Sequence, residues 1–78
     1  MSPLLPQVKA KDLIYVAKQL GFELDRQKGS HAVFYRPSDK ARVVIPIHAG
    51  RDIKPKTLYS IIDDMGITPE EFRTLLSK

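Results

Sequence analysis

The hydrophobic pattern of this chain changes period twice, and that change limits the fold more than any other feature. Ala10, Leu13, Val16, Ala17 and Leu20 recur at spacings of three and four, the apolar stripe of an amphipathic helix. Gly21 follows, a residue suited to the position just past a helix end. From Phe22 the period falls to two. Phe22, Leu24 and Arg26 alternate with Glu23, Asp25 and Gln27, which predicts a half-buried strand. Gly29-Ser30 interrupts the run, and His31 to Arg36 resumes it with Val33, Phe34 and Tyr35, all strong strand formers. Pro37-Ser38-Asp39-Lys40 is a connection rich in turn formers, and Arg42 to Ile47 reads as a third strand. Pro46 has no N–H to give a ladder, so this strand lies at a sheet edge or ends there.

The helical period returns near Pro55, a residue suited to a first turn. Leu58, Ile61, Ile62 and Met65 form the second stripe, closed by Gly66. A last helix opens at Thr68-Pro69-Glu70-Glu71, with Thr68 as cap, Pro69 at the first position and Glu71 completing a capping box. Phe72, Leu75 and Leu76 supply its stripe. The expected order is α-β-β-β-α with a short extra C-terminal helix. Helices that bury their stripes on one sheet face make a two-layer α+β sandwich. Double-stranded-RNA-binding domains share this order, although a fold does not fix a function. Residues 1–78 are expected to form one domain, with residues 1–8 as an extended lead-in that holds Pro3 and Pro6. The stretch from Leu58 to Leu76 also has the outline of a helix-turn-helix. Glu70 and Glu71 would repel phosphate where base contacts are made, so it reads as a packing feature.

A chain of 78 residues gains little from burial alone, and it has no cysteine to add a disulfide or a thiolate metal site. Two histidines and scattered carboxylates do not suggest a bound metal. No run approaches the roughly 20 apolar residues that span a bilayer, and Met1 to Gln7 lacks the pattern of a signal peptide. A soluble, cytoplasmic protein without a membrane contact is the expectation. Its net charge is +4, unevenly spread. Up to Lys56 there are eleven basic and five acidic residues, and from Thr57 onward two and four. The first two-thirds thus offers a surface to a polyanion, or simply a solubilising charge.

Both histidines sit at breaks in strands, His31 after Gly29-Ser30 and His48 between Pro46-Ile47 and Ala49-Gly50. An imidazole's ordinary pKa of about 6.5 lets it take or give a proton near neutral pH. On RNA that proton belongs to the ribose 2′-hydroxyl or to the leaving oxygen. The step needs no metal where basic side chains stabilise the phosphorane-like transition state. Lys28 precedes the Gly29-Ser30-His31 turn, and Arg26 and Arg36 flank the same hairpin. Gly29 permits close backbone approach to a phosphate, and Ser30 has a hydroxyl to donate. The same residues also make an ordinary turn followed by an ordinary histidine. His48, beside Gly50 and Arg51-Asp52, reads either as a loop anchor or as a phosphate contact or second proton-transfer partner. Tyr15, Tyr35 and Tyr59 are candidates to stack on bases, or else edges of the core. There is no cysteine nucleophile and no Gly-x-Ser-x-Gly elbow. Asp63-Asp64 and Glu70-Glu71 fall on helices, facing water rather than forming a two-metal nuclease site.

Gly21-Phe22-Glu23, Arg26 through His31, Val44-Ile45-Pro46-Ile47-His48, and Ile53 through Leu58 with Ile61-Ile62 together resemble the HicA (YcfA-like) toxin family. Leu5-Pro6 through Lys11, with Leu13-Ile14, resembles the family's lead into its first helix. Nearly the whole chain takes part. The resemblance implies a double-stranded-RNA-binding-domain-like fold and an mRNA interferase, an endoribonuclease whose cleavage of mRNA halts translation. It also implies a HicB-like antitoxin as partner, and no cofactor or metal. The family's catalytic histidine falls on His31. The resemblance carries no role over to His48; from the residues themselves, Lys28, Gly29, Ser30, Arg26, His48 and Lys56 are the expected RNA contacts. Lys56 stands where the family usually has glycine before Thr-Leu. It adds charge and removes backbone freedom at the entry to the second helix. The other reading of these features is an RNA-binding module without catalysis.

Overall fold

The structure, a computed structural model, describes residues 7–48 and 50–77. Helix α1 (Ala10–Gln19) leads into strands β1 (Glu23–Lys28), β2 (His31–Arg36) and β3 (Ala41–Pro46), followed by α2 (Pro55–Asp64) and α3 (Pro69–Leu76). The strands form one antiparallel sheet in the order β1-β2-β3. The fold is the expected α+β arrangement with double-stranded-RNA-binding-like element order. Leu13, Val16 and Ala17 of α1 and Leu58, Ile61 and Ile62 of α2 are buried in one core with Ala32, Phe34, Val43 and Ile45 of the sheet, and Phe72 of α3, which packs on α1 and α2, joins it. The opposite sheet face carries no helix. Pro46 closes β3, which is an edge strand, as a missing N–H requires.

Helix ends follow the sequence. Past α1, Gly21 takes φ +93°, its N–H donates to the Lys18 carbonyl, and the Phe22 N–H donates to the Ala17 carbonyl. This is a Schellman stop, with Phe22 buried where the motif places an apolar residue. At α3 the Thr68 hydroxyl accepts from the Glu71 N–H at 3.1 Å, and the Thr68 N–H donates to the Glu71 carboxylate at 2.8 Å.

Strand β1 departs from expectation. It is exposed at all six positions, Leu24 by 54%, and the buried aromatic Phe22 lies just before it. The strand is the outer one, and the helices pack over β2 and β3 instead. A bulge at Asp25 also breaks the alternation: Leu24 pairs with Phe34, but Arg26 pairs with Val33. Opposed residues share a face, so Leu24 points to the helix side and Arg26 to the open side. Without the bulge, Arg26 would share the face of Phe22 and Leu24, as simple alternation predicts. The lead-in is also more than a tail where it is described. Val8 is fully buried, its carbonyl accepts from the Ile53 N–H, and Lys9 bridges to Asp52. The expected extended run over residues 1–6 lies outside the described residues.

Candidate functional site

Lys28 and His31 are opposed across the β1–β2 hairpin, joined by the two-residue turn Gly29-Ser30. Gly29 has φ +59° and Ser30 does not share the positive sign, the pattern of a type II′ turn with glycine first. On the other side His31 is opposed to Pro46 of β3. Lys28, His31 and Pro46 therefore form one row on the open sheet face. The next row is Arg26, Val33 and Val44, and the third is Glu23, Tyr35 and Arg42. The ladder continues past β3, where the Ile47 N–H donates to the Ser30 carbonyl at 2.6 Å. That bond ties the segment leading to His48 against the turn that carries His31.

A cleft of about 780 Å³ opens at this end of the sheet, between β3 and α2. His31, Val44 and Pro46 line one side, His48, Arg51 and Lys54 the loop side, and Lys56, Thr57, Ser60 and Asp64 the α2 side. The structure thus brings His31, His48 and Lys56 to one cleft, with Lys28 and Arg26 beside His31 on the sheet face. Gly29 and Ser30 shape the turn at its rim. Both imidazoles are exposed to solvent. Within the loop, the His48 carbonyl accepts from the Arg51 N–H at 3.0 Å. The loop is also tied to the lead-in by Asp52, whose carboxylate takes the Lys9 ammonium at 2.8 Å, and by Ile53, bonded to Val8.

The electrostatics of the cleft favour an anion. Asp52 is engaged by Lys9, which leaves Arg51, Lys54 and Lys56 facing the single carboxylate of Asp64. Lys54 is the N-cap of α2 and makes no side-chain cap bond, Pro55 is in the first turn, and no acid lies there. Two lysines at a helix N-terminus oppose the helix dipole and do nothing for the helix itself. They suit a place where phosphate is received. Lys56 takes ordinary helical backbone within α2, so this turn requires no glycine. Arg51, Lys54, Thr57 and Ser60 also line the cleft, although the sequence did not mark them as RNA contacts. For Arg51 and Lys54 the signal was the basic excess before Thr57; Thr57 and Ser60 carry no such mark. Arg36, by contrast, is turned to the helix side: its guanidinium lies 4.6 Å from the Phe22 ring centre and donates to the Leu20 carbonyl.

No helix among the described residues is long and apolar enough to cross a membrane. A comparison with curated proteins finds no significant match. The model of the HicA toxin of bacterial toxin–antitoxin systems matches residues 10–67, which include the hairpin, both histidines and the opening of α2. By that match, over well above half its length, the chain belongs to the HicA toxin family and is a toxin of a toxin–antitoxin system.

Proposed function

We propose that this toxin is an endoribonuclease that cuts mRNA without a metal, with His31 as its proton-transfer residue. The observation that carries the reading is the shared cleft: two solvent-reachable imidazoles, lined by Arg51, Lys54 and Lys56 at a helix N-terminus. In this account the ribose 2′-oxygen attacks the adjacent phosphorus, and the bond from phosphorus to the 5′-oxygen breaks. One imidazole takes the 2′-proton and another proton goes to the leaving oxygen; His31 and His48 are the groups within the cleft able to do this. Charge that builds on the phosphate is met by Lys54, Lys56 and the first N–H groups of α2, with Lys28 and Arg26 on the approach. A HicB-like antitoxin would silence the toxin by covering this basic, open face. The site needs no cofactor, and the expected compartment is the cytoplasm.

The test is incubation of the purified protein with a long single-stranded RNA in excess EDTA. Cutting supports the proposal. RNA that is bound, with a strong salt dependence, but left whole points to the binding-module reading instead.

A further inference from the structure

We propose that the open sheet face beyond the cleft is a second RNA subsite, where an unpaired base stacks on Tyr35 beside Arg42. The inference rests on the RNA-cleaving reading of His31 and names its substrate class, single-stranded RNA. Of the three tyrosines, Tyr35 alone lies on the strand and face of His31, four residues further along β2. At the usual rise per residue, the two side chains stand about 13 Å apart along the strand. That is room for more than one nucleotide.

The ground between them suits a nucleic acid strand. Val33 and Val44 form an apolar floor, with Val44 43% exposed although it sits in mid-strand. Arg42 is exposed, its guanidinium 6.0 Å from the Tyr35 ring centre. This is the outer limit of a cation–π contact, so the group is available to a base or phosphate. The carboxylates of this face, Glu23 and Asp25, belong to the outer strand β1, and Asp25 stands 3.9 Å from Arg26. Along β2 and β3 from Arg42 to the lysines of the cleft, the track carries cations, an aromatic ring and aliphatic side chains. A chain of phosphates with free bases fits that sequence of groups. A duplex does not, because its bases are already stacked and paired and show no face to Tyr35.

The experiment uses the His31→Ala protein in EDTA, so that RNA is not consumed during titration. Its binding to a short unstructured RNA, and to the same RNA annealed to its complement, is measured by fluorescence anisotropy. The expected result is preference for the single strand, weakened about 5- to 150-fold by adding Tyr35→Leu. Tyr35→Phe, which keeps the ring, should bind like its parent, and this controls for damage to the fold. Equal binding by Tyr35→Leu, or equal affinity for duplex and single strand, overturns the subsite. So does a Tyr35→Leu protein that loses its antitoxin but keeps RNA, since the face would then be a protein interface. The two readings fail separately. Wild-type protein that never cuts RNA overturns the nuclease proposal while Tyr35-dependent binding still supports the subsite. Normal cutting with Tyr35-independent binding does the reverse.

Discussion

Gly29 holds the β1–β2 turn at φ +59°, and that turn opposes Lys28 to His31. A Cβ at Gly29 would touch nothing, so any penalty for replacing it comes from the backbone alone. At Gly21, φ +93°, an added Cβ would make only an ordinary contact with the Arg36 side chain at 3.5 Å, so there too the penalty lies in the backbone. We expect Gly21→Ala to cost about 1–2 kcal/mol, the penalty of a left-handed L-residue, read as a lower urea midpoint. An unchanged midpoint would mean that the Schellman stop contributes little. At this scale much of the site was legible: His31, His48, Lys28 and Lys56 stand out by type and by nearness to turns. Arg51, Lys54, Thr57 and Ser60 did not, because their place in the cleft depends on how the loop before α2 folds back. That fold-back is set by the pairing of residues 8–9 with 52–53, a contact between distant segments that no local pattern announces.

At the scale of elements, helix stripes, caps and the three-strand order could be read from periodicity and stop signals. The burial of β1 could not. Alternation says which residues share a face only while the ladder is regular, and the bulge at Asp25 resets the phase. The reset serves both faces: Leu24 keeps to the helix side, and Arg26 and Lys28 stand with His31. The β2–β3 connection makes a pH prediction. Asp39 accepts two bonds from the Arg36 guanidinium, at 2.9 and 2.8 Å, and one from the Ala41 N–H. The guanidinium bonds, then the backbone N–H, hold the Asp39 carboxyl below its ordinary value. A lowered folded pKa gives stability that is present above the unfolded value of about 3.9 and lost as pH falls through the folded one. Asp39→Asn should therefore melt below wild type near neutral pH, with the two curves converging under acid; parallel curves down to pH 2 would contradict the assignment. The α3 cap is open to a simpler trial. Thr68→Ala should cost about 0.5–2 kcal/mol, measured by chemical denaturation.

For the molecule as a whole, one small core carries a sheet that is bare on the face away from the helices. A domain of 78 residues has roughly 4–12 kcal/mol of stability in total, at the usual value per residue. Phe72 is fully buried where α3 meets the core. Phe72→Ala should cost about 3–5 kcal/mol, enough to shift the unfolding midpoint sharply; a small shift would mean that α3 is peripheral to stability. The helix layer thus bears the fold, while His31, Val44 and Arg42 remain exposed on the side away from it. Removing a functional side chain from that face should leave the core intact. The most direct measurement is the single-turnover rate of RNA cleavage by wild type and His31→Ala, in EDTA, with thermal melts of both. The account predicts a fall of about 10²–10⁴-fold with unchanged melting. Equal rates from two equally folded proteins would contradict it.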